Sequence, residues 1–116
     1  MRPRWPTPAK GRPRRRAGEM NKLEARYDRE IIQPRIIAGE YQESWFEEWK
    51  FRIADKTWYT PDFVVMLPDG TLEIHECKGF MQDDANVKLK AVAEKFPLPV
   101  RLVKWSKADG WDIRAV

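Results

Sequence analysis

The chain has 116 residues, of which 42% are hydrophobic and 34% charged, and its formal net charge at pH 7 is +4. That length favours one domain with a modest core, and no apolar run approaches the roughly 20 residues that span a bilayer. The single cysteine excludes an internal disulfide framework and a multi-cysteine zinc site. Basic residues near the N-terminus are not followed by an apolar segment, so we expect no secretory signal and a cytoplasmic location.

Positive charge is concentrated in residues 1–18. This segment contains seven of the 22 lysines and arginines and no acidic residue, which leaves 15 basic against 18 acidic residues in 19–116. Its prolines and its few apolar residues predict a disordered arm that neutralises DNA phosphates, followed by a folded domain over 19–116. A solubilising or artificially added terminus is the alternative. The arginines nearest the domain are the candidate DNA contacts: Arg12, Arg14, Arg15 and Arg16.

Asn21 and Glu24 mark the start of the first predicted helix. A hydrogen-bonding side chain at the N-cap with a glutamate three positions later forms a capping box. Apolar residues then recur at helical spacing, and Pro34 is expected to end the helix. The apolar stripe consists of Met20, Leu23, Tyr27 and Ile31.

Alternating apolar and polar residues predict strands through the centre of the chain. A second helix is predicted over 83–96, and its connection to the last strand favours a right-handed parallel crossover. The expected fold class is therefore α/β, with a mixed β-sheet core flanked by helices in the order α-β-β-β-α-β. The predicted strands cover 45–53, 62–67, 71–78 and 100–105.

The second and third of these strands form a predicted hairpin that turns at residues 68–70. Because side chains alternate along a strand, Glu76 and Lys78 project from one face, and the hairpin returns Asp62 beside them. That face changes from apolar to charged where the strand ends, and a buried charge is costly unless it is paired or coordinated. Two carboxylates and a lysine here predict a divalent-metal site suited to phosphodiester hydrolysis. A turn aspartate beside a solvated strand end is the alternative.

Two segments resemble the motifs of the PD-(D/E)XK nuclease superfamily, namely Tyr59-Thr60-Pro61-Asp62-Phe63 and Glu76-Cys77-Lys78-Gly79. The chain looks like the small phage-encoded endonucleases of this superfamily. It is also similar to Holliday junction resolvases and to transposon end-cleaving subunits. The resemblance implies a restriction-endonuclease-like fold and a Mg²⁺-dependent homodimer in which Mn²⁺ can substitute. It also implies no membrane association, and the host cytoplasm if the chain is phage-encoded.

The resemblance also implies roles for individual residues. Asp62 and Glu76 would hold the metal, and Lys78 would orient or deprotonate a water or neutralise charge on the phosphate. Cys77 would contribute its backbone carbonyl. Glu24, an acid of the first helix, would complete the metal site, unless its only role is to cap that helix. His75 is not expected to take part, because strand alternation points it to the opposite face.

The expected function is a metal-dependent endodeoxyribonuclease that is selective for branched DNA such as a Holliday junction. Trp58, beside the first motif, and Lys88, on the second helix, are candidate DNA contacts, with core packing and a solvated face as their alternatives. A nuclease of other specificity, by nicking, flap or DNA-end cleavage, remains open. So does a non-catalytic DNA-binding module on the same fold, although the complete set of Asp62, Glu76 and Lys78 argues against it.

Overall fold

The structure is a computed structural model that describes residues 18–78 and 83–116, with the side chains of 83–87 excepted. The helices are α1 (Lys22–Tyr27), α2 (Gln33–Ile37) and α3 (Asp83–Lys95), and a π-helical turn over Asp28–Ile32 joins α1 to α2. The strands are β1 (Glu43–Phe46), β2 (Phe51–Ala54), β3 (Thr57–Tyr59), β4 (Phe63–Met66), β5 (Leu72–Cys77), β6 (Val100–Ser106) and β7 (Gly110–Ala115). None of the helices in the described part of the chain has the length and apolarity needed to cross a bilayer.

Five strands form a mixed sheet in the order β1-β4-β5-β6-β7, and β2 and β3 form a separate two-stranded ribbon. β4 and β5 are the predicted antiparallel hairpin, with Phe63 opposite His75. α3 carries the chain from β5 to β6, and these two strands are parallel, as expected. The predicted α/β class is therefore confirmed.

The sheet has two covered faces, each with its own core. The α3 face, which includes Val64 and Ile74, packs against α3 and the inner side of the β2–β3 ribbon. The α1 face, which includes Phe63 and Val65, packs against Tyr27 and the π-helical turn. This arrangement follows from the side-chain alternation of strands that are buried on both sides. Polar groups at the end of β5 can therefore contact residues that cover the α3 face and residues that cover the α1 face.

Pro34 does not end the first helix, contrary to the prediction. The π-helical turn precedes it, with the Gln33 N–H bonded to the carbonyl of Asp28, five residues back. Pro34 then lies in the first turn of α2, where its missing N–H is tolerated, and α2 continues to Ile37. The change of hydrogen-bond spacing accommodates the proline without a break in the helical path.

The single strand predicted over 45–53 is also wrong. Glu47 has a φ of 52°, and the chain leaves the main sheet there, so β1 and β2 belong to different sheets. The Glu47 N–H bonds to the carbonyl of Asp62 at 2.9 Å, which fixes the departure point beside the predicted site. One predicted strand is thus two, and β3 and β7 were not predicted, so the described residues contain seven strands in place of four.

Candidate metal centre

The base of the β4–β5 hairpin brings Asp62, Glu76 and Lys78 together. The Asp62 N–H donates to Glu76 Oε1 at 3.0 Å, and Lys78 Nζ lies 3.5 Å from Glu76 Oε2. The Cys77 N–H donates to Asp62 Oδ2 at 2.9 Å. The aspartate before β4 thus bonds to the backbone of β5, while Glu76 bonds back to the backbone of Asp62. This reciprocal pairing fixes both carboxylates relative to the hairpin.

Tyr59 is a site residue that the sequence interpretation missed. Its hydroxyl donates to Glu76 Oε1 at 2.7 Å, and its side chain is buried. Burial and the Glu76 charge raise the pKa of Tyr59 well above its usual value, so the hydroxyl remains a donor. The sequence feature that could have identified Tyr59 as a site residue is its place in the aromatic segment before Pro61. The contact itself depends on the ribbon, which the sequence did not reveal.

Glu24 forms the predicted helix cap and also lies beside the site. It forms the capping box, because its Oε1 accepts from the Asn21 N–H at 2.8 Å and its own N–H donates to Asn21 Oδ1 at 2.8 Å. Its side chain is 3% exposed and also lies within hydrogen-bonding reach of the Asp62 carboxyl group. The capping contact therefore holds the Glu24 carboxyl group beside Asp62, and a cap and a ligand are not exclusive roles here.

The three carboxyl groups repel one another in a poorly solvated place. Burial, together with the negative charges of Glu76 and Glu24, raises the pKa of Asp62 to about 9. Burial also raises the pKa of Glu76, although the hydrogen bonds from Tyr59 and the Asp62 N–H and the proximity of Lys78 oppose the increase. A divalent cation would reverse this balance by favouring the ionised carboxylates.

The donor set suits a hard cation, although it is not arranged as a finished coordination shell. Among the side chains of 18–78 and 88–116, no three His, Cys, Asp or Glu residues already converge as metal ligands. Glu24 and Glu76 instead each contact Asp62. Carboxylate oxygens are the ligands that Mg²⁺ and Mn²⁺ prefer, so the chemistry of these donors fits such an ion.

No known protein family, curated protein or solved structure matches the chain significantly. The chemistry of the site is therefore inferred from its own residues.

Cys77 lies at the edge of the site, with its side chain toward the α1 face. Burial and the surrounding carboxylates raise the pKa of its thiol, which keeps the sulfur protonated and makes it a poor metal ligand. The observed contact of Cys77 with the site is its backbone N–H, which binds Asp62. Coordination by its carbonyl oxygen remains a prediction.

His75 lies outside the site, as strand alternation predicts. Its Nδ1 is 2.6 Å from the Tyr27 hydroxyl, and its Nε2 is 3.0 Å from Glu73 Oε1. Glu73 in turn lies 3.5 Å from Arg101. These groups form a network on the α1 face that runs from the buried Tyr27 and His75 to the partly exposed Arg101, separate from Glu76 and Lys78.

The candidate DNA contacts differ in where they lie. Trp58 is 39% exposed on the outer side of the ribbon, next to Tyr59. Lys88 is partly buried on α3. The four arginines of the predicted arm, Arg12, Arg14, Arg15 and Arg16, lie outside the described residues, as does Gly79 of the second motif. Contact of any of these residues with DNA remains a prediction.

Proposed function

We propose that the protein is a metal-dependent endodeoxyribonuclease of the PD-(D/E)XK type. The observation that carries the proposal is the meeting of Asp62, Glu76 and Lys78 at the base of one hairpin, with Glu24 beside Asp62. Buried acids without matching positive charge are expensive for a fold, and such clusters occur at functional sites. A cation that binds a phosphodiester would balance the negative charge of this cluster and give these acids a catalytic function.

The strand arrangement supports a restriction-endonuclease-like fold. The proposed motifs lie on adjacent antiparallel strands, and α3 leads to a parallel β6 on the other side of β5. α1 brings its glutamate to the same end of the sheet. This is the arrangement that the resemblance in the sequence implies.

In the proposed mechanism, Asp62, Glu76 and Glu24 would hold Mg²⁺ or Mn²⁺. The ion would polarise the scissile phosphate and acidify a bound water. Tyr59 keeps Glu76 in place through its hydroxyl hydrogen bond, and the Cys77 N–H does the same for Asp62. Lys78, which contacts Glu76, would orient the attacking water or offset charge that develops on the phosphate.

For the substrate, we propose branched DNA such as a Holliday junction, cleaved by a homodimer. This choice follows from the resemblance to small resolvases. Arg12, Arg14, Arg15 and Arg16 would contact phosphates. Trp58 is available to stack on an unpaired base at a branch point.

Cleavage of labelled four-way junctions, flaps, nicked duplex, linear duplex and single strands tests this function. We expect product with Mg²⁺ or Mn²⁺, none in EDTA, and preference for the junction. Asp62→Asn is the matched inactive control, since it keeps the shape of the side chain. Activity in EDTA would contradict metal dependence, and equal cutting of linear duplex would contradict branch selectivity. Preferential nicking, flap cleavage or end cleavage would assign one of the other nuclease specificities.

A non-catalytic DNA-binding module is the second candidate. The observation that favours it is the lack of a converged set of three ligands in the described part of the chain. DNA binding without cleavage of any substrate under Mn²⁺ would establish it in place of the nuclease.

A further inference from the structure

A groove of about 420 Å³ begins at Lys78 and runs across β6 and β7. Lys104 and Arg114 line it with their side chains. Trp105 and Trp111 also border it, but their rings lie on the opposite, α1 face of the sheet, against Arg26 and Tyr27. Its volume is in the range of pockets that hold small organic groups, which includes a nucleotide. Because Lys78 belongs to both the groove and the candidate metal centre, the groove extends that centre along the sheet.

The strand register explains why basic side chains gather there. The Lys78 N–H bonds to the carbonyl of Val103, so Lys78 lies level with the C-terminal part of β6, beside Lys104. β6 and β7 then pair Leu102 with Arg114, and paired residues share a face of the sheet. The α3 face is apolar at Val100 and Leu102 and becomes polar beyond them. The polar end of this face forms the floor of the groove.

The net charge of the groove favours an anion, although acidic side chains in the lining oppose its binding. Lys78, Lys104 and Arg114 face the acids Asp109 and Asp112, which leaves one positive charge in excess. Arg114 Nε lies 2.8 Å from Asp112 Oδ2, so the guanidinium group is held in place by that carboxylate. Its remaining N–H groups can donate to a phosphate, while Asp112 itself repels one.

We propose that this groove binds the DNA strand on one side of the scissile phosphate. Lys104 and Arg114 contact successive phosphates of that strand, next to Lys78. A positively charged groove that follows the backbone is the electrostatic part of a site for a nucleic-acid strand. The assignment rests on the proposed nuclease function only for its location next to the cut. Strand binding by the groove can be measured without cleavage.

The test is DNA binding by the full chain in EDTA, with a fluorescent four-way junction and a fluorescent single strand, at several salt concentrations. Lys104→Ala should weaken binding several-fold and reduce the slope of log K against log salt by about 0.7–0.9, the value for one lost phosphate contact. Lys107→Ala is the matched control, because Lys107 is exposed in the β6–β7 turn and lies outside the groove lining. Asp112→Asn should strengthen binding, since it removes a negative charge from the groove. Thermal unfolding of each variant verifies its fold.

The outcomes separate the groove from the nuclease proposal. Weaker binding by Lys104→Ala, with Lys107→Ala unchanged, supports the groove even if no DNA is ever cleaved. Equal binding and equal salt slopes for the two variants would overturn it, even if the wild type is an active nuclease. Weaker binding by Asp112→Asn, with the fold retained, would overturn the proposed charge arrangement. Failure of the wild type to bind either DNA would also overturn the proposal that the groove binds a DNA strand.

Discussion

Two clusters of buried polar groups lie on the β4–β5 hairpin, and they differ in how their charges are balanced. On the α1 face, His75 lies between the Tyr27 hydroxyl and Glu73, and Glu73 also contacts Arg101. The hydrogen bond with His75, followed by the charges of His75 and Arg101, lowers the pKa of Glu73. Every polar group of this cluster has a partner of matching character.

The metal-centre cluster lacks that balance. Asp62 contacts two further carboxyl groups, and burial with their charges raises its pKa to about 9. Lys78 is the cation that contacts Glu76 there. The first cluster is therefore complete as a structural network, whereas the second gains from a bound cation. We infer that the His75 network stabilises the fold and that the carboxylate cluster binds a catalytic cation.

Substitution of one residue in each cluster should affect different properties, namely cleavage in one case and stability in the other. Asp62→Asn should reduce DNA cleavage to the detection limit, because it removes a metal ligand, while the metal-free protein stays folded. His75→Gln should leave cleavage per folded molecule unchanged and destabilise the protein by about 1–3 kcal/mol, the cost of disrupting a buried hydrogen-bond network. The measurements are cleavage rates and urea unfolding. Normal cleavage by Asp62→Asn, or inactivity of folded His75→Gln, would reverse the assignment of the two clusters.

Lys78→Met should lower the cleavage rate by about 10²–10⁴-fold, the usual contribution of a positioned proton-transfer or charge-stabilising group. Methionine keeps the apolar stem, so the packing next to Glu76 is retained. The single-turnover rate under saturating Mn²⁺ measures the chemical step. A rate within a factor of about two of wild type would remove Lys78 from the mechanism.

The Asp62 carboxyl group should make the metal-free protein less stable as pH rises. Its pKa in the folded chain is about 9, above its ordinary value of 3.8, so the folded state binds the extra proton between these limits. Stability from this group is present below pH 4 and is lost as pH rises through 9. In EDTA, the difference in unfolding free energy between Asp62→Asn and wild type should grow from pH 5 to pH 9. A constant difference would mean that Asp62 ionises normally.

The smallest expected effect concerns the helix cap. Asn21→Ala removes the side chain that accepts from the Glu24 N–H, and it should cost about 1 kcal/mol. The Glu24 carboxyl group stays beside Asp62, so cleavage should change little. Glu24→Ala should lower both stability and cleavage. If Glu24→Ala loses only stability, as Asn21→Ala does, Glu24 is a cap and not a ligand.

The sequence predicted the features that depend on local pattern. Strand alternation and the turn at residues 68–70 predicted the hairpin, and the hairpin determines that Asp62, Glu76 and Lys78 meet. The capping box was predicted from two residues alone, Asn21 and Glu24. These features follow from side-chain period and from hydrogen bonds between near neighbours, which a sequence displays directly.

Features that depend on tertiary context were not predictable in the same way. The alternation of Phe51 and Ile53 with Arg52 is genuine for β2, but it does not show that the chain leaves the main sheet at Glu47. β7 has a weakly apolar, partly exposed pattern that resembles a loop until β6 pairs with it. The Tyr59–Glu76 contact was missed for the same reason, because it depends on where the β2–β3 ribbon packs.

The most direct test of the account is calorimetric titration of Mn²⁺ into the wild type and into Asp62→Asn at pH 8 without DNA. The account predicts saturable binding to the wild type, with a heat that depends on the ionisation enthalpy of the buffer, because Asp62 must release its proton. Binding should be lost or greatly weakened in Asp62→Asn. Equal Mn²⁺ binding by the two proteins, or none by the wild type, would contradict a cation site among these three carboxylates.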